Sequence, residues 1–313
     1  MSIIRFGVSV VIPYYNRSNS IKKTLKSVVN QTIEDWEIII IDDGSETFES
    51  KALYKIVSEF NDSRITVILE EKNKGGGHAR NVGTLAAKGE YIAFLDSDDE
   101  WAPNKLELQL NLHRNEDVKL ISYTKSIIKY GTDSSKQDPI PKIAISPVDK
   151  ISDYLFVKGG FMPTPSLFGS TRVLQKCLFD TSLRRHQDYD LLLTLESYGC
   201  SFKMLNEVLV TIHWEDVGTN AGTRFYCPDV SSQFVKDRKS QFSKRAEAAF
   251  RLNNVFAPIR EREGIKPSLY KEFFADLYRV KLIRVQLFTL TILIFGSIKP
   301  LKYPLKIYKK LFR

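Results

Sequence analysis

The sequence predicts an α/β fold, a mostly parallel sheet flanked by helices, with a C-terminal helical, membrane-associating extension. Three observations carry that prediction. Short apolar runs alternate with segments of helical periodicity through the first hundred or so residues. Three of those runs end in polar or acidic residues, at the edge where parallel sheets gather their ligands. The net charge of +9 is unevenly placed: from Lys271 to Arg313, ten basic residues stand against two acidic ones.

Each element can be justified in turn. Val8 to Pro13 reads as a buried strand stopped by proline, and Ile21, Leu25, Val28 and Val29 follow at helical spacing. Trp36 to Ile41 is a second strand running into Asp42-Asp43-Gly44-Ser45. Leu53, Ile56, Val57 and Phe60 mark a helix face, and Ile65 to Leu69 a third strand. Lys72 to Gly77 is a glycine-rich loop, Ala79 to Ala87 a helix of small residues, and Tyr91 to Leu95 a fourth strand. After Trp101 the pattern loosens. Asp133 to Pro147 reads as an exposed connection, Asp188 to Tyr198 as a helix burying Leu191, Leu192 and Leu195, and Met204 to Ile212 as a late strand. Helices are expected from Ser231 onward, which divides the chain into residues 1–215 and a C-terminal extension, 216–313.

Composition narrows the partners. A hydrophobic content of 43% with 27% charged residues is that of a folded chain. Without the tail the charge is close to balanced, which speaks against a nucleic-acid partner, since such proteins carry a basic stripe over the folded body. Cys177, Cys200 and Cys227 form no CxxC pair and no even framework, so reduced thiols in the cytoplasm are expected. Arg5 and Gly7 interrupt the apolar start, which does not read as a cleavable signal. Val285 to Phe295 is strongly apolar but short of a membrane span. Behind it Lys299, Lys302, Lys306, Lys309, Lys310 and Arg313 interleave with Tyr303, Tyr308 and Phe312, as suits a segment lying on anionic lipid. A core helix followed by a solvated basic tail is the other reading.

The chemistry concentrates at strand ends. Asp96-Ser97-Asp98-Asp99 places carboxylates on a turning chain, where they can share one Mg²⁺ or Mn²⁺ and leave substrate phosphates to complete its shell. The same residues also suit a helix N-cap. Asp42-Asp43-Gly44 suits a turn, or a carboxylate accepting from an N–H of a base. Lys74-Gly75-Gly76-Gly77-His78-Ala79-Arg80 can approach phosphates closely, with Lys74 and Arg80 supplying charge. It is neither a P-loop nor a dinucleotide fingerprint. His213, after the late strand, can close onto a metal or act structurally, and His186 with Arg184 and Arg185 can touch phosphates or form an exposed basic turn.

Val10-Val11-Ile12-Pro13-Tyr14-Tyr15-Asn16 resembles the opening strand of the family 2 inverting glycosyltransferases. Gln31-Thr32, Asp42-Asp43-Gly44-Ser45, Ala79-Arg80-Asn81-x-Gly83, Gly89-Glu90-Tyr91-Ile92 and Phe94-Leu95-Asp96-Ser97-Asp98-Asp99 follow in that family's order. Gln187-Asp188-Tyr189-Asp190-Leu191 is similar to its Glu-Asp motif, with Gln in place of Glu. Past about Trp214 the resemblance is thin. It implies a GT-A (Rossmann-like) fold, a UDP-sugar donor, a divalent metal (Mn²⁺ or Mg²⁺) and transfer of a hexose to a glycan hydroxyl in bacterial surface-polysaccharide synthesis, O-antigen or capsule. Carried over by residue, Pro13, Tyr15 and Asp42 surround the base, Arg80 lies near the nucleotide or its phosphates, where the loop reading also puts Lys74, and Asp96 meets the ribose or stands behind the metal's own ligands. Asp98 and Asp99 bind the metal, joined by His213, although the sequence leaves open which of the three aspartates touches it. Asp188 matches the catalytic base, with Asp190 second and a helix cap as the plain alternative. A membrane-bound tail goes with a lipid-linked acceptor and a peripheral place on the inner face of the cell membrane. Two other classes stand beside this one: a nucleotidyltransferase that makes the sugar nucleotide, and a non-catalytic nucleotide-binding scaffold.

Overall fold

A computed structural model describes residues 7–131, 137–214, 227–262 and 267–280. β1 (Val8–Tyr14), α1 (Ser18–Val29), β2 (Trp36–Asp43), α2 (Thr47–Ser58), β3 (Ile65–Glu70), α3 (Gly76–Ala86) and β4 (Tyr91–Phe94) alternate as the periodicity predicts. Then come β5 (Glu100–Trp101), α4 (Lys105–His113), β6 (Leu120–Tyr130), α5 (Ile151–Phe156), β7 (Phe168–Ser170), α6 (Thr171–Leu174), α7 (Gln187–Ser197) and β8 (Ser201–Trp214). The chain continues through α8 (Pro228–Asp237), α9 (Lys244–Arg251), a π-helical turn at Leu252–Phe256, α10 (Ala257–Arg262) and α11 (Pro267–Arg279).

The sheet has the order β3-β2-β1-β4-β7-β6-β8-β5. β1 pairs in parallel with β2 and β4, β2 with β3, and β6 with β8. β7 runs antiparallel between β4 and β6, and β5 antiparallel to β8. β1, β2, β4, β6 and β8 therefore point their carboxyl ends to one edge of the sheet. Alternation along the strands divides the core. Val8, Val10, Ile12, Ile38 and Ile40 pack on Ile21, Leu25 and Val28 of α1, while Val11, Ile39 and Ile41 face Ala79 of α3 and the leucines of α7.

Several residues in the sequence motifs prove architectural. Gln31 Nε2 donates to Ala102 O at 2.8 Å, and its Oε1 accepts the Leu106 N–H at 3.0 Å, fixing the end of α1 to the start of α4. Asn81 and the backbone of Phe179 exchange two hydrogen bonds of 2.8 Å, which pins α3 to the segment leading into α7. The Gly89 N–H donates to Ser9 Oγ, which in turn donates to Glu37. Gly83 permits the closest approach of α3 to the sheet: a β-carbon there would lie 2.6 Å from Ile41 Cδ1 and nearer still to Val11 Cγ1. Gly83→Val is accordingly expected to cost about 2–3 kcal/mol, read as a lower urea midpoint at unchanged slope.

Three differences from the sequence expectation have physical causes. β6 escaped notice because Ser122, Thr124 and Ser126 are fully buried within it, which breaks the apolar pattern. Its neighbourhood is polar throughout: Gln109 donates to Ser122, and the buried Lys105 ammonium donates to Gln109 Oε1 at 2.6 Å and lies 3.9 Å from the Trp101 ring centroid. Gly76 and Gly77 belong to the first turn of α3 rather than to the loop before it. Finally, α8 and α9 are not a loose appendage, because Phe234, Val235, Phe242, Ala246 and Phe250 join the core cluster that holds α7. Among the described residues no helix is long and apolar enough to cross a membrane. The apolar run from Val285 and the basic residues after it lie outside the described residues.

Candidate active site

The carboxyl ends of β1, β2 and β4 and the start of α3 surround a cleft of about 500 Å³, lined among others by Pro13, Tyr15, Asn16, Arg17, Asp43, Arg80, Asp96 and Asp98. Two short segments shape it. Asn16 adopts φ +50°, in the left-handed region that asparagine tolerates, and its side chain accepts the Glu46 N–H at 2.9 Å. Gly75, at φ +96°, caps α3 in a conformation that favours glycine. Asp43 holds that cap, its two oxygens accepting the N–H groups of Lys74 (3.0 Å) and Gly75 (2.7 Å).

The acidic turn after β4 is clamped from behind by α1. Ser20 Oγ donates to Ser97 O and Thr24 Oγ1 to Asp99 O, each at 2.9 Å. Asp96 is ion-paired with Arg80, and Asp98 lies 3.4 Å from Arg17. Asp99 turns inward, 3% exposed, and its Oδ1 accepts the His213 backbone N–H at 3.0 Å. Burial pushes its carboxyl up to about 9, with the charges of Asp96 and Asp98 adding to the effect. The His213 ring turns to Glu100 (2.6 Å) and Lys23 (3.4 Å).

Against the first turn of α3 stands the N-terminus of α7. The Gln187 side chain donates to Leu183 O and packs on α3, where a β-carbon at Gly77 would meet its amide at 3.0 Å. Next to it, burial raises the Asp188 carboxyl above the usual range; Asp96 adds to the rise, while the Tyr189 N–H and Arg80 oppose it. Asp188 thus shares an electrostatic environment with Arg80 and Asp96, although it is about ninety residues away in sequence. Asp190 does not. Its carboxylate is buried and paired with Arg238 Nε at 2.5 Å, and Arg238 also reaches Asp180 at 3.0 Å. Asp190→Ala is expected to cost about 2–3 kcal/mol of stability through loss of the buried half of the pair with Arg238, which keeps only Asp180, read as a lower urea midpoint.

Most of the residues singled out in the sequence come together here, and the exceptions are instructive. Pro13, Tyr15, Arg80, Asp96 and Asp98 line the cleft. Asp42 lies beneath it, fully buried and accepting from Ser45 N and Ser50 Oγ, so its neighbour Asp43 is the aspartate at the cleft wall. Lys74 sends its ammonium to Glu70 at 2.6 Å. His186 is buried, hydrogen-bonded to Ser231 at 2.9 Å and lowered to about 3 by burial, a neutral strut rather than a phosphate contact. Sequence reasoning placed Asn16 and Asp43 at strand ends without giving either a role, and missed Arg17, which directly follows Asn16.

Among the described residues no group of three or more His, Cys, Asp or Glu side chains stands close enough to hold a metal ion alone. The donor set still fits a hard divalent cation that keeps most of its shell for a ligand. Asp96 and Asp98 offer carboxylates 31% and 25% exposed at the cleft wall, and magnesium-type sites use one or two such groups plus phosphate oxygens.

Residues 9–178 match the family model described as Glycosyl transferase family 2. The chain belongs to glycosyltransferase family 2. The putative colanic acid biosynthesis glycosyl transferase WcaA of Escherichia coli K12 is 31% identical over 252 residues, covering 80% of this chain and 87% of that protein. The UDP-Glc:α-D-GlcNAc-diphosphoundecaprenol β-1,3-glucosyltransferase WfgD of E. coli is 38% identical over 121 residues, 39% of this chain and 46% of that one. Among solved structures, S. aureus TarS 1–349 in complex with UDP-GlcNAc superimposes with a TM-score of 0.59 at 18% identity, over 88% of this chain and 80% of TarS 1–349. The likeness to TarS is one of fold. This family 2 glycosyltransferase therefore has the GT-A architecture that its motifs imply, and the mixed sheet described above is that architecture.

Proposed function

We propose that this glycosyltransferase moves a hexose, with inversion, from a UDP-sugar to a hydroxyl of a lipid-linked glycan in bacterial surface-polysaccharide synthesis. The observation that carries the proposal is the shared electrostatic neighbourhood of three groups: Asp96 after β4, its ion-pair partner Arg80 on α3, and the carboxyl of Asp188 at the start of α7, which burial raises. The names of WcaA and WfgD, colanic acid synthesis and a UDP-glucose transferase acting on a diphosphoundecaprenol acceptor, support the substrate classes.

In this reading Pro13 and Tyr15 flank the base, with Asp43 at the wall and Asp42 setting the turn beneath. Asp96 takes the ribose, Arg80 and Arg17 face the diphosphate, and Lys74 lends its backbone to the cap of α3. Asp98 presents its carboxylate to a Mn²⁺ or Mg²⁺ ion, and Asp99, joined to the His213 N–H, supports it from behind. A bound cation would draw charge from the departing diphosphate. The acceptor oxygen forms its bond to the anomeric carbon while the bond to the diphosphate oxygen breaks, and the electron pair leaves with UDP. The acceptor proton passes to Asp188, which a desolvated carboxylate with raised basicity favours. The C-terminal part, 216–313, would bring its basic and apolar last residues to an anionic membrane surface, on the side where UDP-sugars are available.

The test is a UDP-release screen over nucleotide sugars, with and without Mn²⁺, using a GlcNAc-α-diphosphate alkyl ester as acceptor. UDP release that requires acceptor is the expected result. Pyrophosphate release from a nucleoside triphosphate and a sugar phosphate would instead mark a nucleotidyltransferase, and no turnover of any donor would leave a binding scaffold.

A further inference from the structure

β6 and β8 run in parallel to their last paired residues, Tyr130 and Trp214, and the Gly131 N–H extends the ladder to Trp214 O at 2.9 Å. There the two rings meet edge to face, with centroids 5.4 Å and planes 80° apart. Neither is sunk in the core: Trp214 is 51% and Tyr130 41% exposed. The pair stands at the carboxyl-terminal edge of the sheet, the edge that carries the cleft, and is joined to the acidic turn through a single residue, since the His213 N–H donates to Asp99 Oδ1.

We propose that Trp214, braced by Tyr130, is the platform on which a pyranose ring of the acceptor stacks; this rests on the glycosyl-transfer reading above. One face of a pyranose is a patch of weakly positive C–H bonds, which matches the negative face of an indole, while its rim of hydroxyls stays in water. Tyr130 meets Trp214 edge-on and holds it in place, so little side-chain freedom is lost when the sugar arrives. An acceptor ring fits this place better than the donor, because the nucleotide cleft is built by β1, β2, β4 and α3, and the aromatic pair lies beyond Asp99 on the strands at the other side of the sheet.

The full chain tests this with the same soluble GlcNAc-α-diphosphate alkyl ester. Trp214→Ala is expected to raise the acceptor KM about tenfold, with UDP affinity unchanged, and Trp214→Phe to stay within about threefold of the native value. In saturation-transfer NMR on the UDP-loaded protein, irradiating aromatic resonances should mark the sugar ring protons, and Trp214→Ala should weaken that signal severalfold. An unchanged KM with an unchanged NMR signal overturns the proposal, as does a fall in UDP affinity parallel to the KM change. Loss of binding to phosphatidylglycerol vesicles with KM intact overturns it in favour of a membrane contact. If the native chain turns over no donor, the glycosyl-transfer reading fails on its own, and the NMR signal still decides whether Trp214 holds a sugar.

Discussion

Asp188→Asn is expected to lower the rate of sugar transfer by about 10²–10⁴-fold while leaving UDP binding intact. The amide keeps the shape of the carboxylate but cannot take the acceptor proton. The same substitution should leave the melting temperature unchanged or raise it. Burial has lifted this carboxyl above its usual range, so the charged form is the one the fold disfavours. A folded-state pKa above the unfolded one contributes stability at low pH that is lost as pH rises through the folded value. At pH 8 Asp188 therefore costs stability, and Asn removes the cost. The pH profile follows from the same sign: transfer needs the deprotonated base, so kcat should fall with decreasing pH while still above the ordinary carboxylate range. Full activity in Asp188→Asn, or an acid limb at the pKa of an ordinary aspartate, would remove Asp188 from the role.

Asp98→Asn is expected to reduce transfer at least about a hundredfold and to abolish the strengthening of UDP binding by Mn²⁺. Asp98 shares the cleft wall with Asp96; it lies 3.4 Å from Arg17, whereas Asp96 is ion-paired with Arg80 and Asp99 turns inward. Calorimetric titration of UDP with and without Mn²⁺ separates this effect from simple loss of charge. A variant that keeps the native metal response would move the cation elsewhere. Chelation of the native enzyme should reproduce the loss of transfer, and added Mn²⁺ should restore it.

The first half of the fold was legible because β1 and β2 are buried on both sides and α1 carries a clean apolar face. Val8 to Tyr14 and Trp36 to Asp43 read as strands without help from any neighbour. Strand β6 did not, since Ser122, Thr124 and Ser126 are buried within it, and Ser122 meets its partners Gln109 and His113 only in the folded chain. The site was legible as a set of strand ends but not in its finer assignment. Sequence cannot separate Asp42 from Asp43, because adjacent residues on a strand face opposite ways and only packing decides which one meets the cleft. It likewise could not separate Asp188 from Asp190; the partner of Asp190, Arg238, lies 48 residues later on the turn after α8. Gln31, Asn81 and Gly83 show the reverse, residues of a functional signature whose work is to hold helices in place.

The bonds from His186 to Ser231 and from Asp190 to Arg238, with Phe234 and Phe250 in the shared core, have a consequence for how this enzyme can change. The helix that carries Asp188 takes its position from segments on both sides of residue 215, α3 before it and α8 and α9 after it. A chimera joining residues 1–215 to another member's C-terminal helices should inherit a displaced base unless α7 is exchanged with them. The position of Asp188 and the packing of the C-terminal helices are then coupled traits, altered together or not at all.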